Sequence, residues 1–217
     1  MIKKYLVSLL MAGAFANANE SVFSEVKSII SHMESSGRSG IVNSRGFLGK
    51  YQFGAMSLVD IGILSKSNYK SLTYTRPTAT RKAKVFWRNG LSLNSFLNNP
   101  MNWNITGGKS AFLSDESLQD EAMDRLLRLN TQRLEARGFD LSDPSTAKSL
   151  LIASHFGGVG SASKYAQYGS EYSDAYGTKI SKYFKAGANS SKVSKNVQKE
   201  DDYSSLLNVN TWKIERE

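Results

Sequence analysis

Apolar residues recur at helical spacing in the first strongly patterned segment of the chain, and they predict a helix over residues 22–33 that packs on a core. The apolar stripe consists of Val22, Val26, Ile29, Ile30 and Met33. Glu34 follows the last buried turn, where a core meets the surface. Partial burial at such a position raises a carboxyl pKa and keeps the group protonated near neutral pH. The alternative is a solvated glutamate at a helix end, and the pattern alone favours this alternative.

The same periodicity predicts further helices and few strands. The strongest one starts near residue 114, with Ser114 or Ser117 as its cap, and ends at Gly138. Its predicted buried side comprises Leu118, Ala122, Leu126, Leu129 and Leu134. Residues 65–104 contain two prolines and several asparagines and predict irregular structure. The other predicted helices span residues 55–64, 146–156, 161–168 and 179–186.

These elements indicate an all-α, mainly helical fold class with one compact domain over residues 19–187. Residues 188–217 begin with a Ser-, Lys- and Asn-rich stretch, which predicts a polar, mobile C-terminal tail. No internal repeat is present. We expect a monomer.

The N-terminus has the pattern of a secretory signal peptide over residues 1–18. A short basic start precedes an apolar run over residues 5–15, and Ala16 and Ala18 each close a small-x-small cleavage site. An uncleaved N-terminal anchor is the alternative. The chain contains no Cys, so an exported form depends on its core for stability. The expected location is periplasmic or secreted.

The charge of the chain limits the classes of partner that it is expected to bind. The formal net charge of +9 falls by two, to +7, when Lys3 and Lys4 leave with the signal peptide. In an exported protein the natural polyanions belong to the cell envelope, and the sequence has no helix-turn-helix and no basic helix interleaved with aromatics. Two His and no Cys disfavour zinc, and the glycines at 157–160 lack a P-loop pattern. We therefore expect no nucleic acid partner, no metal and no cofactor.

Four motifs follow one another along the chain and carry a family resemblance. They are Glu34-Ser35-Ser36, Gly49-Lys50-Tyr51-Gln52-Phe53-Gly54, a Trp-Asn-Ile-Thr-Gly-Gly segment continuing over residues 103–123, and Ala153-Ser154-His155-Phe156-Gly157-Gly158. In this order they resemble lysozyme-like enzymes, above all soluble lytic transglycosylases and goose-type lysozymes. Similar domains occur in phage tails and in secretion-associated cell-wall enzymes. The resemblance covers about residues 23–184 and implies a lysozyme-like, mainly helical α+β fold with a catalytic cleft.

The resemblance also implies roles for individual residues. Glu34 matches the family's catalytic acid, and substrate contacts are implied for Ser36, Gly49, Tyr51, Gln52, His155 and Gly157. The amide of Gln52 can donate to and accept from a sugar acetamido group. Ser36 is expected to bond the Glu34 carboxylate or a nearby sugar.

Two positions depart from the family pattern. Lys50-Tyr51 replaces the usual Leu-Met, and Ser154-His155 replaces the usual Tyr-Asn. Tyr51 either stacks on a sugar ring or packs beneath the loop. His155 either contacts the substrate or is a satisfied helix-end histidine.

The number of carboxylates near Glu34 bears on the chemistry. Residues 37–54 contain no Asp or Glu, and the nearest candidates in the motifs, Asp60, Asp120 and Glu121, are expected to be surface charges. A single-carboxylate mechanism on the β-1,4 bond between N-acetylmuramic acid and N-acetylglucosamine fits this pattern, and it favours lytic transglycosylation. The alternatives are a hydrolytic muramidase and a non-catalytic peptidoglycan-binding module.

The expected partner is therefore the peptidoglycan glycan strand. An envelope secretion or conjugation apparatus is a further candidate partner. General wall turnover and a toxin role against rival bacteria are equally compatible with the sequence.

Overall fold

The computed structural model describes residues 20–77 and 83–193. Within these residues the fold consists of eight α-helices, one short 3-10 turn and one two-stranded sheet, which confirms the mainly helical class. The predicted signal peptide over residues 1–18 lies outside the described part. The elements are α1 (residues 20–35), α2 (Ala55–Asp60), α3 (Lys66–Leu72), β1 (Thr73–Pro77), β2 (Ala83–Trp87), α4 (Leu93–Asn98), the 3-10 turn (Pro100–Asn102), α5 (Gly108–Ser114), α6 (Glu116–Glu135), α7 (Pro144–Tyr168) and α8 (Ile180–Val193).

Helix α6 contributes a long apolar side to the core. Its buried apolar residues are Ala122, Met123, Leu126, Leu127 and Leu134, whereas Leu118 and Leu129 are only partly buried. The predicted caps Ser114 and Ser117 are wrong, because Ser114 ends α5 and the carboxylate of Asp115 accepts the backbone N–H of Leu118 at 3.1 Å. A carboxylate at this position also complements the helix dipole.

The predicted irregular structure over residues 65–104 is wrong. Helix α3 leads into an antiparallel hairpin, in which β1 and β2 pair in a register from Thr73↔Trp87 to Pro77↔Ala83. An aromatic cluster of Tyr69, Trp87 and Phe96 holds the base of the hairpin, with ring centroids 5.3–5.7 Å apart. This cluster joins residues from three separate elements, so a local pattern did not reveal it.

Helices α7 and α8 form a closely packed pair. The predicted helix end at the glycine pair is observed as a break inside α7, because Gly158 has a φ of 76° and a ψ of 157°. Helix α8 continues through residue 187 to Val193, so the start of the predicted tail lies within a helix. The backbones meet at Gly187, where a Cβ would lie 2.5 Å from the Cα of Ser149.

Candidate active site

Glu34 lies in the last turn of α1, and the helix ends immediately behind it. Val26 and Ile30 anchor the inner face of the helix and are fully buried. Ser36 and Gly37 both adopt positive φ, and the N–H of Gly37 donates to the carbonyl of Ser31 at 3.2 Å. This left-handed turn satisfies carbonyls at the helix end and directs the chain away from it. Glu34 is left half-buried at the edge of the core.

The carboxyl group of Glu34 has one hydrogen-bond donor among the described residues. The hydroxyl of Tyr183, on α8, donates to Oε1 of Glu34 at 2.9 Å. Tyr183 is itself buried and stacks on Phe156 of α7 with ring centroids 4.1 Å apart and planes 13° apart. Burial and the neighbouring Glu34 carboxyl raise the pKa of Tyr183, so its hydroxyl remains a donor at any physiological pH.

The surroundings of Glu34 favour its protonated form. Burial raises the pKa of Glu34 from 4.5 to about 7 and outweighs the opposing effects of the Tyr183 hydrogen bond and the Lys182 charge. The negative charge of Asp174 contributes to this rise. A carboxyl group with a pKa near 7 can both donate and accept a proton close to neutral pH, which is the requirement for general acid–base catalysis. Of the two interpretations of Glu34, the half-buried acid agrees with the structure.

Asp174 is the carboxylate that the sequence analysis missed. It lies in the loop between α7 and α8, where its Oδ1 accepts the backbone N–H groups of Tyr176 at 2.9 Å and Thr178 at 2.8 Å. Its charge acts on both Glu34 and Tyr183. Nothing in the spacing of the sequence indicated that this loop approaches the end of α1.

The three carboxylates considered from the sequence are engaged elsewhere. Asp60 pairs with Arg133 at 2.9 Å, Asp120 pairs with Lys50 at 2.9 Å, and Glu121 pairs with Arg125 one helical turn away. These ion pairs agree with the expectation that none of the three serves Glu34.

Residues 37–54 form a glycine-rich loop, and the first motif uses Ser35, rather than Ser36, to connect α1 to it. Ser35 is buried, and its hydroxyl donates to the carbonyl of Lys50 at 2.6 Å. Ser36 is exposed, and its hydroxyl bonds neither Glu34 nor any other described residue. The structure therefore does not bring Ser36 to the Glu34 carboxylate.

Gln119 of α6 holds the glycine-rich loop in place. Its Oε1 accepts the backbone N–H of Lys50 at 2.7 Å, and its Nε2 donates to the carbonyl of Phe112 at 2.8 Å. Gly49 has a φ of 73°, and a Cβ there would lie 2.7 Å from Cδ of Gln119. The close approach that Gly49 permits is thus to Gln119. A glutamine at an otherwise apolar helix position was the only sequence signal for this contact.

Tyr51 and Gln52 belong to the glycine-rich loop, and their side chains are buried beneath its backbone. Tyr51 is 3% exposed and its hydroxyl donates to Asp120, so it packs beneath the loop and is not available to stack on a sugar. Gln52 is 7% exposed, and its Nε2 donates to the carbonyl of Gly49 at 2.8 Å. Its Oε1 accepts no hydrogen bond from the described residues, so it is the part of this amide that can receive a ligand N–H.

His155 and Gly157 have structural contacts. One ring nitrogen of His155, Nε2, lies 2.8 Å from the carbonyl of Tyr51 and must be the protonated one, because a carbonyl only accepts. Burial lowers the pKa of His155 to about 4, so the ring is neutral. A Cβ on Gly157 would lie 2.9 Å from Cδ1 of Ile180 and 3.1 Å from Cδ1 of Tyr172. His155 thus connects α7 to the glycine-rich loop, and Gly157 allows α7 to pack closely against Ile180 and Tyr172.

A contact joins the glycine-rich loop to the α7–α8 loop. The guanidinium of Arg45 lies over the ring of Tyr176, 4.2 Å from its centroid. The pKa of Tyr176 lies below its ordinary value, mainly because Ser44 and Arg45 favour the ionised form of its hydroxyl. The glycine-rich loop is thereby connected in space to the loop between α7 and α8.

Comparison with protein families, with curated proteins and with solved structures gives no match to this chain. Among the residues that the structure describes, no cluster of three or more His, Asp or Glu is arranged to hold a metal ion. None of the helices in residues 20–77 and 83–193 is long and apolar enough to cross a membrane.

The hydrogen bond from Tyr183 gives a test of the acid role of Glu34. We expect activity of the parent protein to fall as the pH rises through about 7, because Glu34 then loses its proton. Tyr183→Phe removes a donor that favours the ionised carboxylate, so this fall should move to higher pH. The pH dependence of kcat/KM measures the shift. A fall that stays at the parental pH, or moves lower, would contradict the assignment; Tyr165→Phe is the control.

Proposed function

We propose that this chain is an exported peptidoglycan-cleaving enzyme of the lysozyme-like superfamily, acting as a lytic transglycosylase with Glu34 as its catalytic acid. One observation carries the proposal: Glu34 is half-buried at the end of α1, accepts a hydrogen bond from Tyr183 and has a pKa near 7. The order of the four sequence motifs supports the same assignment. The export step rests on the signal-peptide pattern alone.

The chemistry follows from a single acid that changes role between two steps. Glu34 first donates its proton to the glycosidic oxygen as the bond from that oxygen to C1 of N-acetylmuramic acid breaks. The substrate's own acetamido group assists at C1. The Glu34 carboxylate then takes the proton of the muramic acid 6-hydroxyl while that oxygen bonds C1, which yields a 1,6-anhydro product. The 6-hydroxyl is held within the same sugar and so has a high effective concentration.

Tyr183 and Gln52 have supporting roles in this proposal. Tyr183 orients the Glu34 carboxyl through the 2.9 Å hydrogen bond and stabilises its ionised form between the two steps. The free Oε1 of Gln52 is suited to accept the N–H of a substrate acetamido group, while its Nε2 remains on Gly49.

A hydrolytic muramidase is the second candidate, and Asp174 is the observation that favours it. Its charge acts on Glu34, and inverting glycosidases use a second carboxylate to activate a water. However, Oδ1 of Asp174 already accepts two backbone N–H groups, which leaves Oδ2 for that task. We therefore keep transglycosylation as the main proposal.

The product distinguishes these two outcomes. Digestion of purified sacculi should release mainly 1,6-anhydro-muropeptides, which mass spectrometry recognises because they lack one water relative to the hydrolysed product. A digest dominated by reducing muropeptides would establish hydrolysis instead. In that case Asp174→Asn, rather than a change at Asp60, Asp120 or Glu121, should abolish the reaction.

A further inference from the structure

A basic cavity of about 500 Å³ lies at the start of α8 and is open to solvent. Three lysines line it at helical spacing, and hydroxyl groups complete the polar lining. The lining residues used below are Lys179, Lys182, Lys185, Tyr176, Thr178 and Ser181. We name this set the lysine pocket.

The lysines of this pocket lack close counter-charges. None of the three forms an ion pair within 4.0 Å with a described residue. The charges of Lys179 and Lys185 contribute to the lowered pKa of Glu171. Oε1 of Glu171 accepts the backbone N–H of Ser181, at the start of α8, at 3.0 Å. The residues that line the pocket thus contribute three ammonium groups and no carboxylate, and Glu171 beside them offsets one of these charges.

Two further acidic groups lie near the pocket, Asp174 and Glu34, and together with Glu171 they reduce its positive charge without outnumbering the three lysines. Oδ1 of Asp174 accepts backbone N–H groups of the α7–α8 loop. Glu34 has a pKa of about 7 and is therefore protonated in a large fraction of molecules at neutral pH. Lys179 and Lys185 can therefore form ion pairs with the negative charges of a ligand.

The position of the pocket points to the chemical class of its ligand. Lys182, which lines the pocket, precedes Tyr183, and its charge acts on Glu34, so this side of the pocket lies toward the proposed catalytic acid. In peptidoglycan the peptide stem is attached to the muramic acid whose bond would be cleaved there, and the stem carries several carboxylates. Lysine ammonium groups on flexible side chains suit carboxylates that arrive from more than one direction.

We propose that the lysine pocket binds the carboxylates of a peptidoglycan peptide stem, so that the protein prefers glycan strands that still carry their peptides. This inference rests on the proposed function, since it takes the substrate to be peptidoglycan. It assigns Lys179 and Lys185 to substrate binding and gives them no part in the bond cleavage.

Binding can be measured separately from cleavage by placing the pocket changes in a Glu34→Gln background. The probes are sacculi free of teichoic acid and the same material after an amidase has removed the peptides. Lys179→Gln with Lys185→Gln should weaken co-sedimentation with intact sacculi about fivefold to twentyfold, because two exposed charge interactions are lost. Binding to the peptide-free strands should change less than twofold, and Lys179→Arg with Lys185→Arg should restore binding to intact sacculi.

The matched control carries two lysine changes on another surface. Lys66→Gln with Lys70→Gln alters exposed positions on α3 and should leave binding to both probes unchanged. Parental binding by the pocket variant, an equal loss on both probes, or the same loss in the α3 variant would each overturn the inference. Release of muropeptides by the parent protein is scored independently, so a failure of the proposed function is distinguishable from a failure of the pocket.

Discussion

Replacing Glu34 with Gln is expected to abolish the clearing of a peptidoglycan suspension by residues 19–217. The amide keeps the size of the side chain and can still accept from Tyr183, but it has no proton to donate at accessible pH. Loss of a general acid alone costs about 10²–10⁴-fold, and here the same group would also act as the base. Turbidity of the suspension and release of soluble muropeptides measure the loss.

The stability of the same variant provides its internal control. The pKa of Glu34 in the folded state lies above its ordinary value of 4.5. The contribution of Glu34 to the free energy of unfolding is therefore fully present below pH 4.5, and it is lost as the pH rises through about 7. Glu34→Gln lacks this titration and should therefore unfold at a higher temperature than the parent at pH 8. The two proteins should be more alike at pH 4.

Glu135→Gln serves as the matched activity control, because Glu135 is exposed at the end of α6. It should clear peptidoglycan as the parent does. A Glu34→Gln protein with parental activity would contradict the catalytic assignment. A parent protein that binds sacculi but releases nothing would instead favour a non-catalytic binding module.

Gly187→Ala is expected to have the largest effect on stability. A methyl group there would collide with the backbone N of Ser149 and lie 2.5 Å from its Cα and 2.6 Å from the carbonyl carbon of Lys148. Backbone atoms have no rotamer with which to move away, so α8 must shift from α7. Overpacking of this kind costs about 1–3 kcal/mol, which corresponds to roughly 2–12 °C in Tm for a domain of this size.

Activity should fall together with stability in Gly187→Ala, because Tyr183 lies one turn earlier on the displaced helix. The matched control is Gly160→Ala in α7, where a Cβ would meet nothing within 4 Å and φ is not positive. That variant should be neutral or more stable by about 0.4–1 kcal/mol. Circular dichroism melts and the clearing assay provide both measurements. An unchanged Tm in Gly187→Ala would mean that α8 does not pack against α7 as described.

The elements that could be predicted from the sequence are those with a strong local pattern. Helix α1, the long α6 and the break at Gly158 all follow from periodic apolar residues or from a glycine. The hairpin was missed because Thr73–Pro77 contains neither a clean polar–apolar alternation nor an extended apolar run. Its position depends on contacts of Trp87 with Tyr69 and Phe96, which only the folded chain brings together.

The residues of the candidate site also fall into two groups, those that a local sequence pattern reveals and those that only the folded chain brings together. Glu34 was identified because it follows a strongly periodic helix and matches the first of the four motifs, and both are local features of the sequence. Tyr183 and Asp174 were not, since their relation to Glu34 depends on how the α7–α8 pair packs against α1. The resemblance implied substrate contacts for His155 and Gly157, with a satisfied helix-end histidine as the alternative for His155. In the structure His155 contacts the carbonyl of Tyr51, and Gly157 lies close to Ile180 and Tyr172.

The hydrogen bond between Tyr183 and Glu34 determines when the candidate site can form during synthesis of the chain. Its partners are 149 positions apart, so a chain synthesised from its N-terminus contains the acid long before it contains the donor. Closing a loop of that length comes late in folding, because its entropy must be offset by contacts already formed. A nascent or truncated chain that ends before α8 would carry Glu34 without Tyr183, Lys182 or the lysine pocket. Maturation of the site is thus coupled to completion of the polypeptide.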